Sequence, residues 1–350
     1  MAETYSPMTL PGALCCLMHQ DELVADGGGR QVKATTRALR CPRGCEIPVQ
    51  RGIPRFVDSR NYAAAFGRQW NAFRRAQLDS FSGQPISRDR LERALGGSLD
   101  VVKGRTVLEA GCGAGRFTEQ LLGAGAHVFA CDMSSAVEAN RENCAGSDNY
   151  FVGQADLLQL PVRRGSFDVV VCLGVIQHTP DPEQTMSQLA TYVTPGGLLV
   201  IDHYRYGVED MTHVRQRLRR VLLRMPSRWA LSLVRGMVAV LWPVHRMLWR
   251  HRHRPWVAKC RARWLRVSPV LDYQDTYGAL GQNLLYAWAA LDTHDALTDV
   301  YKHKRTVEQV ARALQGCGLE GIEVSYGGNG VEARARKPNR GTGEVSSSKS

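Results

Sequence analysis

Glu109, Gly111, Gly113 and Gly115 alternate along a run that starts as an apolar strand, Thr106-Val107-Leu108-Glu109-Ala110, and continues into an amphipathic helix from Arg116 to Leu122. A glycine-rich turn between strand and helix lets backbone approach a ligand closely, and the helix start adds partial positive charge. A dinucleotide fingerprint would require glycine at 116, where Arg116 stands, so the spacing points to a different nucleoside ligand. Two further acids sit at successive strand ends. Asp132, after His127-Val128-Phe129-Ala130-Cys131, can accept hydrogen bonds from both ribose hydroxyls. Asp156, after Tyr150-Phe151-Val152, can accept one from an adenine amino group, with Leu157 against the ring. Met133 and Leu173, beside the strand ends at 132 and 172, complete the expected cofactor set.

Val107–Phe117, Asp132, Gln154–Leu157, Ser166–Cys172 and Pro195-Gly196-Gly197 together resemble the class I S-adenosylmethionine-dependent methyltransferases. The resemblance covers roughly 104–204, and 305–337 fits the family's last helix and closing strand pair. It implies a Rossmann-like α/β fold with a mostly parallel sheet of seven strands, and S-adenosyl-L-methionine as cofactor. It also implies that Glu109, Gly111, Gly113, Gly115, Asp132, Asp156 and Leu157 bind that cofactor, with Asp132 on the ribose. Phe66–Trp70, Gln77–Ser80, Cys172–Pro180 and Leu291–Thr293 are similar to a narrower group of bacterial methyltransferases, often linked to cell-surface glycan or natural-product pathways. That similarity implies a small-molecule, natural-product or glycan/glycolipid acceptor.

Methyl transfer is an in-line displacement in which the cofactor carries the reactive group, so the protein's work is alignment and exclusion of water. A hydroxyl acceptor must also lose its proton. Two histidines follow the fourth and fifth strands, His178 in Gln177-His178-Thr179 and His203 in Asp202-His203-Tyr204, and His178 is the stronger candidate base. Trp70 and Gln77 could fold over the cofactor, and Asp292, Asp295 and Tyr301 could line an acceptor pocket, although ordinary core packing explains such residues equally well. The rival readings are a ribosomal-RNA base methyltransferase and a non-catalytic cofactor-binding protein. The first lacks an Asn/Asp-Pro-Pro-aromatic element after Phe167–Cys172.

A second chemical constellation lies near the N-terminus. Cys16-Leu17-Met18-His19 and Cys41-Pro42-Arg43-Gly44-Cys45 supply four ligands suited to a tetrahedral zinc site, Cys16, His19, Cys41 and Cys45, with Cys15 a substitute for Cys16. The segment resembles the zinc ribbons that precede some methyltransferase domains, departing from them at His19 and in its three-residue second gap.

The elements that must position these groups are short apolar strands alternating with helices, which predicts a parallel sheet covered on both faces. The expected organisation is a zinc-ribbon-like segment at 1–57, a helical lid at 58–103, the methyltransferase core at 104–204, a basic helical insertion at 205–304, the end of the core at 305–337 and a disordered tail at 338–350. Net charge is +12, yet residues 205–266 hold 16 arginines and lysines against two acids, so the remainder is nearly neutral. One basic segment on a neutral enzyme predicts one adhesive surface. Apolar residues mixed with arginines suit peripheral membrane contact through 205–266, or a cap gripping a phosphorylated or glycolipid acceptor; nucleic acid is not the expected partner. Arg235, Pro243, His245 and Arg246 interrupt the apolar stretch Trp229–Trp249 and argue against a membrane span. No secretory signal is evident at the N-terminus, and the ten cysteines then read as thiols or metal ligands of a cytoplasmic protein.

Overall fold

The computed structural model describes residues 6–58, 61–207, 213–328 and 330–339. Most of the expected tail, 340–350, lies outside the described residues. The N-terminal segment forms β1 (Met8–Thr9), β2 (Val24–Ala25), β3 (Gln31–Val32), β4 (Ala38–Arg40), β5 (Glu46–Gln50) and β6 (Ile53–Pro54). Helices α1 (Ala64–Ala72), α2 (Asp79–Ser82) and α3 (Ile86–Leu95) follow. Strand and helix then alternate: β7 (Thr106–Ala110), α4 (Thr118–Gly123), β8 (His127–Asp132), α5 (Ala136–Cys144), β9 (Tyr150–Gln154), β10 (Phe167–Cys172), α6 (Pro182–Tyr192) and β11 (Val193–His203). The insertion comprises α7 (His213–Leu222), α8 (Ser227–Arg250), α9 (Pro255–Val267) and α10 (Gly281–Thr298). The chain closes with α11 (Val307–Gly316), β12 (Glu320–Gly327) and β13 (Gly330–Arg336).

The central sheet has seven strands in the order β12-β13-β11-β10-β7-β8-β9, with β13 alone running against its neighbours. Strand order reverses between β7 and β10, and open α/β sheets bind ligands at the carboxyl ends beside such a reversal. The glycine turn leaves β7 at that point. One expected turn is placed differently: Pro195-Gly196-Gly197 lies inside β11, whose pairing with β10 jumps from Phe167↔Val193 to Val169↔Leu198. The extra residues are absorbed as a bulge, and the strand starts five residues earlier than its apolar run.

Two apolar cores divide the molecule. The larger runs through the sheet and continues without a break into the N-terminal segment, where Leu14, Leu23, Leu39 and Ile53 join it. Phe56 N–H donates to the Gln154 carbonyl at 2.8 Å, and Arg55 reaches Gln154 Oε1 at 2.9 Å and Glu138 at 3.0 Å. The N-terminal strands are thus docked on the edge of the sheet at β9. The smaller core belongs to the insertion, where Val234, Val238 and Trp242 of α8 pack against Leu285, Trp288 and Ala289 of α10. His245 secures it: Nδ1 lies 2.9 Å from Asp272 Oδ2, and Nε2 2.8 Å from Ser268 Oγ.

A polar chain crosses the larger core. Tyr150 on β9 donates to Asn140 on α5 (2.6 Å), Asn140 Nδ2 donates to Thr118 on α4 (2.9 Å), and Thr118 donates to Glu109 Oε2 on β7 (2.5 Å). Each buried polar group here has a partner except Glu109 Oε1, which finds none among the described residues. Burial pushes the Glu109 carboxyl up to about 8, against the pull of the Thr118 hydrogen bond. A raised carboxyl pKa favours folding below its unfolded value of 4.5, and that contribution is lost as pH rises through about 8. Glu109→Gln, which cannot ionise, is therefore expected to gain on the parent protein across that window. In thermal melts without cofactor at about pH 5, 7 and 9, the difference in melting temperature should widen by several degrees; a constant difference would mean that Glu109 folds ionised.

Candidate functional site

The turn after β7 is shaped by what presses on it. Gly111 has φ +83°, and a Cβ there would stand 2.3 Å from Val175 Cγ2; one on Gly113 would meet the Trp70 indole at 3.3 Å. Side chains would fill the space between the turn and its neighbours, so the glycines leave a cradle of bare backbone. Gly111 and Cys112 N–H donate to the Cys131 carbonyl at 2.8 and 2.9 Å, tying the turn to the end of β8. Asp132 ends that strand. Its Oδ2 accepts from Gly113 N–H at 3.0 Å, and its Oδ1 accepts from Ser134 N–H at 2.8 Å and Ser134 Oγ at 2.6 Å. Burial nevertheless raises its carboxyl pKa.

The cradle opens into a cavity of about 920 Å³. Gly111, Gly113, Asp132, Met133, Asp156, Leu157 and Leu173 all line it, with Tyr62, Phe66 and Trp70 on the facing wall. Asp156 caps a short helical turn by accepting from Leu158 N–H at 2.9 Å. Burial, with the Asp156 and Asp132 carboxylates nearby, raises the Tyr62 hydroxyl pKa. The arrangement suits a nucleoside: acceptor oxygens at two strand ends, aromatic and aliphatic faces between them, and backbone amides at a helix start. Glu109 and Gly115 do not line this cavity. Glu109 points into the core toward Thr118, and Gly115 faces α5, where a Cβ would lie 2.8 Å from Cys144 Sγ. Strand alternation would put all four residues on one side; the positive φ of Gly111, Gly113 and Gly115 breaks that pattern, so the turn carries Gly115 round to α5 while Glu109 stays in the buried strand.

The other end of the cavity is built by α10 and its connections. Tyr273, Tyr277 and Trp288 line it, with Tyr277 and Trp288 ring centroids 5.0 Å apart. Asp292 accepts from Gln77 Nε2 at 3.1 Å and Trp288 Nε1 at 3.0 Å, and burial pushes its carboxyl up to about 7. Gln77 in turn accepts from Arg116 at 2.5 Å. Arg116 is held down to about 10, first by burial and then by Arg90. Asp295 also lines the cavity, whereas Tyr301 acts from behind, its ring 5.4 Å from Tyr62 and its carbonyl against His178.

His178 stands on the cavity wall, 7% exposed, flanked by Phe66 and Tyr204. Its Nδ1 lies 3.1 Å from the Tyr301 carbonyl oxygen and 3.4 Å from Asp299 Oδ2. Two acceptors at one nitrogen place the proton there and leave Nε2 with its lone pair. Burial opposes charging this ring, yet the Asp299 and Asp295 carboxylates outweigh it and raise its pKa. Asp299 is itself held by Arg219 at 2.5 Å and Lys302 at 3.2 Å. His203 corrects the expectation of a second base. It is fully buried in β11, its Nδ1 meets the Tyr204 carbonyl at 3.1 Å, and burial holds it near 4. It does not line the cavity, because the strand extends past Asp202 and turns its side chain into the core.

Arg90 and Asp299 went unremarked in the sequence, and Gln69 and Arg116 were given no site role there. Arg116 had a visible signal, since it breaks the dinucleotide fingerprint; Asp299 had none, being more than a hundred residues from its histidine. Gln69 on α1 accepts from His294 on α10 at 2.6 Å, so α1 and the insertion are joined at the cavity wall.

The N-terminal ligand candidates also converge. The donor atoms of Cys16, His19, Cys41 and Cys45 all lie within 4.8 Å of one another. His19 Nδ1 is 3.9, 3.4 and 3.5 Å from the three sulfurs. That spread fits the edges of a tetrahedral zinc site. Cys15 is turned away toward Gln20 Oε1 at 3.4 Å, so Cys16 is the member that joins the cluster.

Residues 108–201 match the methyltransferase domain family. A ubiquinone biosynthesis O-methyltransferase from Coxiella burnetii is 33% identical over 102 residues, 28% of this chain and 43% of the relative. One from Acinetobacter baumannii is 32% identical over 119 residues, 32% of this chain and 48% of the relative. The chain thus spans less than half the length of these curated relatives. Magnesium protoporphyrin IX methyltransferase from Synechocystis PCC 6803, solved with bound SAH, is 15% identical with a TM-score of 0.42, covering 79% of this chain and 97% of that one. That structural likeness is too loose to carry an argument. The domain match, the sheet order and the cradle agree, and residues 108–201 carry the methyltransferase domain of this chain.

Proposed function

We propose that the protein methylates a hydroxyl oxygen of a small acceptor. The observation that carries this reading is His178, set on the wall of a cavity shared by the cofactor cradle and an aromatic second end, with Nδ1 tied to the wall and Nε2 left as a base. Gly111, Gly113, Asp132, Met133, Asp156, Leu157 and Leu173 would hold S-adenosylmethionine, with Asp132 placed for the ribose hydroxyls. The bound cofactor supplies an electrophilic methyl group. Tyr273, Tyr277 and Trp288 orient the acceptor, and the lid residues Tyr62, Phe66 and Trp70 keep water out. His178 Nε2 takes the hydroxyl proton, and Asp299 steadies the imidazolium through Nδ1. Asp299 acts through His178 and is a positioning residue. Glu109 and Gly115 keep the turn in shape without touching the cofactor.

We also infer that the Cys16, His19, Cys41 and Cys45 cluster binds zinc with a structural role. A closed set of four protein ligands leaves no position for substrate.

The acceptor reading is tested with methyl-labelled S-adenosylmethionine and a fractionated extract of cells that make the protein. Label is expected in the small-molecule or lipid fraction and should disappear with Asp132→Ala; label in RNA would instead identify a nucleic-acid methyltransferase. With the labelled fraction as substrate, His178→Gln should cost on the order of a hundredfold or more in kcat. Because the Asp299 carboxylate raises the His178 pKa, Asp299→Asn should lower it and move the rising limb of the kcat pH profile to lower pH. An unmoved limb in Asp299→Asn, or full turnover in His178→Gln, would exclude His178 as the base.

Elemental analysis of protein purified without chelator should find about one zinc per chain, lost in Cys41→Ser together with part of the thermal stability. Metal-free protein with an unchanged melting temperature would show that the cluster is a set of thiols only.

A further inference from the structure

The insertion carries a surface that the methyltransferase reading leaves unexplained. Helix α8 has 24 residues and is long and apolar enough to cross a membrane by length and composition. Only one of its faces is buried: Ala230, Val234, Val238, Trp242 and His245 recur at three- and four-residue steps against the insertion core. A second stripe, Trp229, Leu233, Val240 and Met247, follows the same helical spacing but faces solvent, with Trp229 57% and Val240 74% exposed. Gly236 lies in line with it, and a shallow groove lined by Leu233, Met237, Val240 and Leu241 runs along it. Beside this apolar stripe runs a third, of exposed arginines: Arg228, Arg235, Arg246 and Arg250. Apolar and cationic stripes side by side along one helix form an interfacial pattern.

The neighbouring helices extend it. Val221 and Leu223 at the end of α7 and Trp256 at the start of α9 are also exposed. From His213 to Val267 the chain has fifteen arginines and lysines and no aspartate or glutamate. This composition decides between occupants. A second copy of the same surface would set arginines against arginines, with no acid to offset them. RNA would satisfy the arginines but would leave the valine, leucine and methionine stripe in water. A bilayer with anionic headgroups satisfies both stripes at once. A transbilayer orientation fits poorly, because it would strip α8 from α10 and carry Arg235 and Arg246 into hydrocarbon.

We propose that α8, with the adjoining ends of α7 and α9, docks the protein on an anionic membrane surface, lying along it through the Trp229–Met247 stripe. The docking is independent of the O-methylation reading. The basic segment also reaches the cavity, where Arg205 and Arg215 are part of the wall.

The test is co-sedimentation of the full chain with phosphatidylcholine vesicles, with and without phosphatidylglycerol. Sedimentation is expected with the anionic vesicles alone and should be reversed by high salt. The double change Arg235→Gln and Arg246→Gln should weaken binding roughly thirtyfold. Trp229→Ser with Val240→Ser should abolish it while leaving the melting temperature and calorimetric S-adenosylmethionine binding unchanged, since both side chains are exposed. Four results would overturn the proposal: no sedimentation with anionic vesicles; sedimentation indifferent to the Trp229 and Val240 changes; protein that high salt cannot release; or a dimer in light scattering that those same two changes dissolve. Retention of RNA on filters without any vesicle binding would assign the surface to nucleic acid instead.

Discussion

Three walls close on one stretch of backbone, and most of the molecule is arranged around that contact. The turn between β7 and α4 meets Val175 at Gly111, the Trp70 indole at Gly113 and Cys144 of α5 at Gly115. A Cβ would collide at Gly111 and Gly115 and would crowd the indole at Gly113. Val175 comes from the loop after β10, Trp70 from α1, and Cys144 from the end of α5. The turn therefore fixes the distance of three separate elements from β7, and their packing fixes the turn in return. Asp132 and the Cys131 carbonyl hang it from the neighbouring strand. A close-packed interior transmits displacement, so the cradle's shape depends on all three contacts at once.

The polar chain from Tyr150 through Asn140 and Thr118 to Glu109 lies directly beneath the turn. It joins β9, α5, α4 and β7 by directional bonds in a region where apolar packing alone would tolerate sliding. A fully partnered buried network specifies one arrangement, and a half-partnered one weakens it. Glu109 sits fully buried at its end, and that burial is why its carboxyl resists ionisation. This residue contributes through the shape of the turn, whereas Asp132 presents its carboxylate to the cavity.

The insertion turns an open cradle into an enclosed site. Helix α10 sends Asp292 and Asp295 into the cavity, and Asp299, just past its end, to His178, while His294 reaches Gln69 of α1. Burial raises the Asp292 and Asp295 carboxyls and lowers His294, whereas Asp299 is held down against burial by His178, Lys302 and Arg219. The same insertion carries α8, whose buried face completes that core and whose other face remains in solvent. One added segment thus contributes one wall of the cavity and also an exposed amphipathic surface.

Local pattern was enough to read the alternating core, the cofactor turn and the zinc-type ligand pairs, because each depends on residues a few positions apart. A strand, a tight turn and a helix start are fixed by backbone preference and period, so Gly111, Gly113, Asp132 and Asp156 were legible by type and spacing alone. Cys16, His19, Cys41 and Cys45 were legible for the same reason, in two short clusters. What spacing could not supply was direction. Glu109 and Gly115 share the motif with Gly111 and Gly113 but face the core, and His203, expected like His178 after a strand, stays inside the sheet because β11 runs on to include it. The pairing of His178 with Asp299, the bridge from Arg116 through Gln77 to Asp292, and the separation of α8 into a buried face and a bare one were settled only by tertiary packing. Each joins residues distant in sequence, and only the folded chain sets which side chains share a desolvated space.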